Sequence, residues 1–417
     1  MKLAVIGTGI SGLVAARELN AEHDVTVYEA ASWIGGHTNT VDIAGDDGAK
    51  AIDTGFIVFN ETTYPHFCDL LRELNVSWQE SNMSFSVHCD RTGLEYNGTS
   101  LNGLLSRRSN ALRPSFWRMV RDIMRFYREA PAVLEAGYPD LTLGEFLSRG
   151  RYSRAFIDQH LIPMGASVWS SNSQTMRDFP MRFLVQFFHN HGFLRVDDRP
   201  QWVVIRGGSR EYVRKLTEPF RSKIRLNTPV VSVARTSEGV RVRDKTGAEE
   251  VYDSVVLATH ADTSLKLLER PTEAERQVLG AFEYQRNEAV LHTDRSVMPK
   301  RRRAWASWNY HMSSPASELP TVTYWMNELQ SLDSSTQYFV TLNRSADIAE
   351  QHTLRKFVYH HPIFSSAAVH AQKRHAEIDG ADRVHFAGAY WRYGFHEDGV
   401  MSGLAATRQI GLKSSIA

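Results

Sequence analysis

The chain opens on a short apolar run, Leu3 to Gly7, of the kind that fills a strand buried on both faces. Glycines follow at Gly7, Gly9 and Gly12, and then Leu13, Ala16 and Leu19 recur at helical spacing. A second apolar alternation, Val25 to Tyr28, ends at Glu29. From about 61 to 199 the pattern turns helical and aromatic-rich. Its strongest predicted helix is Ser115 to Glu129, with Phe116, Met119, Val120, Ile123 and Tyr127 on one stripe. Strand character returns at Val203 to Ile205, before Gly207-Gly208 and a helix carrying Tyr212, Leu216 and Phe220. Further strands are predicted at Val230 to Val233, Gly239 to Arg243 and Val251 to Thr259. Residues 266–379 are mixed, and their many aromatics read mostly as packing. A last strand, Val384 to Gly388, precedes a closing helix with Leu404 and Ala405.

The first of these units is a nucleotide fingerprint. Gly7 permits the tight turn, Gly9 lets the backbone approach a pyrophosphate, and Gly12 lets the helix pack against the strand. Ile10 and Ser11 open the helix, whose free N–H groups and positive dipole face the phosphates. Glu29, 22 positions after Gly7, is suited to a ribose and would repel a 2′-phosphate. A purely structural glycine turn is the bland alternative, but strand, helix, second strand and acidic end all agree.

Composition narrows the picture. Lys and Arg number 48 against 47 Asp and Glu, so a globally basic nucleic-acid binder is not expected. Cys68 and Cys89 are the only cysteines; a disulfide scaffold is excluded, and reduced cytosolic thiols are the expectation. No stretch is long and apolar enough for a transmembrane helix, and the start reads as strand and turn rather than signal peptide. Residues 107–128 hold seven Arg and one Asp, or +6, leaving −5 for the rest. Two readings compete there: a solvated basic face, or a docking surface for anionic lipid headgroups or an acidic carrier.

The fingerprint continues into Gly35-Gly36-His37 and then Asp53-Thr54-Gly55-Phe56-Ile57-Val58, and the chain ends with Gly388 and Gly394-Phe395-His396-Glu397-Asp398-Gly399-Val400. Together these resemble the flavin amine oxidase and phytoene desaturase superfamily. The resemblance implies an α/β fold: a Rossmann-like, glutathione-reductase-like FAD-binding domain with an interleaved α+β substrate domain. The FAD-binding domain would comprise residues 1–60, 200–265 and 380–417, and the substrate domain 61–199 and 266–379. FAD would be bound by the segments around Gly36, Thr54, Gly55 and Phe56. The backbone at Val230 would meet the adenine end. Gly388, His396 and Val400 would face the flavin, with Tyr390, Trp391, Tyr393 and Phe395 walling the substrate pocket. His396 and Glu397 are the candidate catalytic residues, His396 because an imidazole titrates near neutrality; helix capping is their structural alternative. For Asp53 the structural alternative is a turn or cap residue.

His37 stands where members more often carry Arg. Glu283 to Glu288 lacks the lysine that many amine oxidases place near the flavin, and Phe395 or His396 replaces a cage tyrosine. No cysteine follows Cys89, so the C-terminal thioether link of some members is ruled out and FAD is expected to be non-covalent. The phrases DTGFIVFNETTYP, LHTD, AWASWNY, TYWMN and GAYWRYGFHEDG resemble a bacterial subgroup that often accompanies cyclopropane-fatty-acid-synthase-like methyltransferases. That resemblance implies a fatty-acyl or lipid substrate and a lipid-modifying methyltransferase as partner. The cysteine usage reads as a cytoplasmic protein, and the lipid-docking reading of residues 107–128 would make it peripheral at the inner face of the membrane. Four functions follow as expectations: dehydrogenation of an apolar substrate, amine oxidation, redox-neutral fatty-acid isomerisation, or a non-catalytic FAD-stabilised partner role.

Overall fold

The computed structural model describes residues 1–45, 48–315 and 317–411. Strand β1 (Lys2–Ile6) lies at the centre of a five-stranded sheet, with Leu3 to Ile6 buried as the unbroken apolar run requires. Helix α1 (Ile10–Asn20) returns the chain to β2 (Asp24–Tyr28), parallel to β1 with Ile6 beside Tyr28. The sheet is completed by Ile224–Arg225, Ser254–Leu257 and Val384–Phe386, all parallel, in the order 224–225, β2, β1, 254–257, 384–386. Three distant stretches of chain thus share one sheet. The order reverses beside β1, so the loops after β1, β2 and Ser254–Leu257 open a crevice at the strands' carboxyl ends. The closing helix, His396–Gln409, packs on α1. Leu13, Val14, Leu19, Val400 and Leu404 share the core between these helices and the sheet.

A second, seven-stranded sheet runs in the order Thr353–Ile363, Glu283–His292, Phe339–Leu342, Thr321–Trp325, Trp308–Met312, Phe85–Cys89, Leu94–Asn97. All its pairs are antiparallel except Trp308–Met312 with Phe85–Cys89. That parallel pair joins the two segments lying between the stretches of the first sheet. A helical layer packs here on its own aromatic cluster, including Phe126, Phe156, Trp169 and Phe187.

The basic helix spans Pro114–Glu129, within a residue of its sequence expectation. Its apolar stripe is divided. Phe116 and Met119 are buried; Val120, Ile123 and Tyr127 are only partly buried. Phe126 and Asp122, which the stripe did not include, are also buried, and the Asp122 carboxylate accepts from the Ser153 amide at 2.9 Å. Among the described residues no helix is long and apolar enough to cross a membrane. Cys68 and Cys89 are buried and unpaired.

Candidate active site

The crevice deepens into a cavity of about 480 Å³. Four of the sequence-selected segments line it: Gly7, Gly9, Ile10 and Ser11 from the first turn; Glu29; Gly35, Gly36 and His37; and Thr54, Gly55 and Phe56. Gly388, Tyr390, Tyr393, Phe395 and His396 close it from the C-terminal side. Gly12 lies beneath the turn rather than on the cavity. A β-carbon there would stand 2.0 Å from the Gly7 carbonyl oxygen, which is why α1 can start so close to the sheet.

Local hydrogen bonds set the cradle. The Glu29 carboxylate accepts from the Thr8 amide at 2.9 Å, the Thr8 hydroxyl and the Ala31 amide at 2.8 Å. Thr8 Oγ1 in turn accepts from the Gly35 amide at 3.2 Å, which brings the Gly35-Gly36 pair over the first turn. A β-carbon on Gly36 would be 3.1 Å from Gly9 Cα, whereas one on Gly9 would meet nothing within 4 Å. The residues therefore fit a dinucleotide: a helix N-terminus, an open floor at Gly9 and an acidic strand end lie on one cavity. Gly7 to Ser11 would hold the pyrophosphate and Glu29 the ribose. The Gly36, Thr54–Phe56 and Gly388 segments would flank the remainder.

Asp53 is more than a turn residue. Fully buried, its carboxylate accepts from the Ser209 amide at 2.9 Å, the Ser209 hydroxyl at 2.7 Å, the Thr40 hydroxyl at 2.6 Å and Gln330 Nε2 at 3.2 Å. It ties the Thr54–Phe56 segment to the turn after Trp202–Ile205. Burial pushes its pKa up to about 6, against the pull of those hydrogen bonds.

Three candidates sit elsewhere than the sequence expectation put them. Glu397 does not line the cavity: its carboxylate accepts from the His66 and Phe67 amides at 3.1 and 2.9 Å, satisfying the free N-terminus of the Pro65–Glu73 helix. Trp391 turns away to pack on Phe282 and His375. Val230 begins an edge strand just after Thr228, whose amide donates to the Glu29 carbonyl at 2.8 Å, while the Glu29 amide donates to the Arg225 carbonyl at 2.9 Å. Val400 is wholly inside the helix–sheet core.

His396 lines the cavity, but burial lowers its basicity to about 3, so it is neutral across the physiological range. Its ring stacks on Phe56 with centroids 3.4 Å apart, and Nε2 lies 3.0 Å from the Thr38 hydroxyl and 3.1 Å from the Tyr212 hydroxyl. The titration near neutrality expected of it is overridden by the low polarity of its surroundings. At the start of the closing helix its ring is held against Phe56 and the two hydroxyls.

The cavity also carries residues the sequence did not single out. Ala258, Thr259 and His260 come from the turn after Ser254–Leu257, where an open parallel sheet binds ligands; that position was the available signal. Tyr284, Tyr359, His360 and His361 come from the seven-stranded sheet, with Phe364 just beyond its edge strand, and only the tertiary pairing of that sheet brings them here.

Beyond this cavity lies another, of about 700 Å³. Ser167, Val168 and Trp308 line both. Its walls are mainly apolar: Met83, Phe85, Leu104, Val120, Ile123 and Met164 are among them. The partly buried face of the Pro114–Glu129 helix is thus a chamber wall.

The sequence model of a family described as flavin containing amine oxidoreductase matches residues 10–411. Among solved structures, cyclohexylamine oxidase from Brevibacterium oxydans superposes over 98% of both chains, with a TM-score of 0.72 at 16% identity. A CLA-producing fatty acid isomerase from P. acnes also covers 98% of both, at TM-score 0.70 and 13% identity. Putrescine oxidase covers 98% of this chain and 99% of its own, at TM-score 0.68 and 16% identity. At such identities the likeness is one of fold. No curated protein matches by sequence.

Proposed function

From a chain that belongs to the flavin containing amine oxidoreductase family and is an FAD-dependent oxidoreductase, we propose that its substrate is an apolar chain, fatty-acyl or lipid-like. The observation that carries the reading is the apolar chamber sharing Ser167, Val168 and Trp308 with the FAD cavity. Bound FAD accepts a hydride from a C–H bond and passes the electrons on. The protein's own contribution is placement. Val168 and Trp308 direct an alkyl segment from the chamber toward Phe56, Tyr393 and Phe395. The aromatic walls exclude water from the reacting carbon.

A surface beside the chamber supports a lipid source. Leu112 is 86% exposed, Trp117 48% and Met124 50%, among the exposed Arg108, Arg118, Arg121 and Arg128. Met124 also lines the chamber. Exposed apolar side chains among arginines suit an anionic bilayer surface, and we read this face as the peripheral docking side. A lipid-modifying methyltransferase, as the producer or consumer of the same acyl chain, is the partner this reading suggests.

Amine oxidation is the second reading, favoured by family membership. Against it, Glu283–His292 carries no lysine, and its Asn287 is buried with Nδ2 2.9 Å from His361 Nδ1. Anaerobic mixing separates the two. Unsaturated fatty-acyl lipid is expected to bleach the flavin's visible band, and primary amines are not. Bleaching by amines alone would replace the proposal with the second reading. Product formed without lasting bleaching or an electron acceptor would assign isomerisation instead.

A further inference from the structure

The cavity that receives FAD's pyrophosphate has no permanent positive charge. Among the described residues lining it there is no lysine and no arginine, and its carboxylate, Glu29, is held by Thr8 and Ala31. A helix N-terminus offers the equivalent of about half a charge, against two negative charges on the pyrophosphate. The groups that can become cationic are histidines, and four gather on one side. His37 follows the Gly35-Gly36 pair; its ring centroid is 5.4 Å from that of His361 and 6.0 Å from that of His260. His260 is 6.3 Å from His360 and stacks on Tyr284 at 4.4 Å. His37 Nε2 is shielded from solvent and has no hydrogen-bond partner. No three His, Cys, Asp or Glu among the described residues converge as a metal site.

We propose that His37 and His260 share a proton taken up as FAD enters, and so supply the positive charge its pyrophosphate meets where the family more often places an arginine; His361 stays neutral, its Nδ1 facing the Asn287 amide nitrogen at 2.9 Å. Before FAD binds, burial and the neighbouring histidines keep these rings neutral: His37 well below its ordinary value, His260 and His361 down to about 4. The other groups facing them are few. Asp262 faces His260 and is paired with Lys266 at 2.7 Å. Tyr359 spends its hydroxyl on Asn39 and Thr54. Asp53 is enclosed by its own donors, and His396 is neutral. The exposed His360 lies toward the solvent side. An incoming dianion reverses the balance that holds the rings neutral, as an opposite charge raises a histidine's basicity. FAD's pyrophosphate is fully ionised at these pH values, so the proton resides on the protein.

The test is calorimetric titration of full-length apoprotein with FAD between pH 6.5 and 8.5, in buffers of different ionisation heat. Uptake of about one proton per FAD, shared between the two rings, is expected, and with it a Kd that weakens about tenfold per pH unit over the range where that uptake holds. Riboflavin, which lacks the pyrophosphate, is expected to bind without proton uptake. H37Q and H260Q are each expected to flatten the pH dependence of Kd while their apoproteins keep the wild-type Tm; if one does not fold, the other carries the readout. Free-flavin fluorescence on dilution of the holoenzyme, rising with pH, is an independent measure. A pH-independent Kd, equal uptake with riboflavin, or unchanged linkage in both variants would each overturn the proposal.

Discussion

Two glycines five and two residues beyond Gly7 look equivalent in sequence and are not equivalent in space. A β-carbon at Gly12 would lie 2.0 Å from the Gly7 carbonyl oxygen, so Gly12→Ala must push α1 off the sheet. At Gly9 the backbone is extended, with φ −63°, and a β-carbon would meet only open cavity. Gly9→Ala is therefore expected to fold with the Tm of wild-type apoprotein yet purify with little flavin. Gly12→Ala is expected to lose on the order of 1–3 kcal/mol of apoprotein stability, the range for overpacking. The ratio of flavin to protein absorbance and the apoprotein melting curve check both; a yellow Gly9→Ala would contradict the cradle. The same scale explains His396 and Glu397. Their residue types suggested acid–base work, but hydrogen bonds and burial turn one into a neutral stacking partner and the other into a cap for a neighbouring helix.

The Pro114–Glu129 helix carries three environments on one cylinder. Phe116, Met119 and Phe126 anchor it, Val120 and Ile123 wall the chamber, and Arg118, Arg121 and Arg128 face solvent with Trp117 and Met124. Its amphipathic period revealed the helix but not that half of the apolar stripe faces a cavity, because a cavity wall and a core face have the same sequence pattern. Docking on anionic lipid uses the outer face alone. Full-length protein is expected to cosediment with vesicles containing phosphatidylglycerol and not with purely zwitterionic ones, and added salt should release it. The combined variant R118E, R121E, R128E is expected to abolish cosedimentation without changing flavin content, since these side chains are exposed. Binding that ignores lipid charge would remove the docking role and leave a solvated basic face.

Across the whole molecule, buried histidines set the response to acid. Burial lowers His160 and His396 to about 3, and His191, His260, His292 and His361 to about 4. The unfolded chain binds these protons from its ordinary value of 6.5 downward, so their stabilisation is complete above 6.5 and is lost as pH falls toward 4. Each contributes a slope approaching 1.4 kcal/mol per pH unit at most, less for the half-buried His260 and His361, which keep some hydration. Asp53 and Asp398 act oppositely. Burial raises them to about 6 and 7, so their contribution is lost as pH rises through those values. Six groups outweigh two. The urea midpoint of the apoprotein is expected to fall from pH 7 to pH 5; a midpoint that rises over that interval would refute this balance.

What the sequence determined by itself was the part whose signal is local: strand, glycine turn, helix and acidic strand end within thirty residues, where each residue's role depends on neighbours in the chain. The family fingerprints at Gly35 to His37, Thr54 to Phe56 and the closing helix were legible for the same reason, and all reach the cavity. The tertiary structure alone decided what depends on partners far along the chain. It assembled the seven-stranded sheet that brings Tyr359 and His361 beside His37, and opened the chamber behind Trp308. It also set the charge on His396. Periodicity records that a side chain faces inward; whether it meets a packed core, a cavity or a proton is fixed by packing and by the local dielectric.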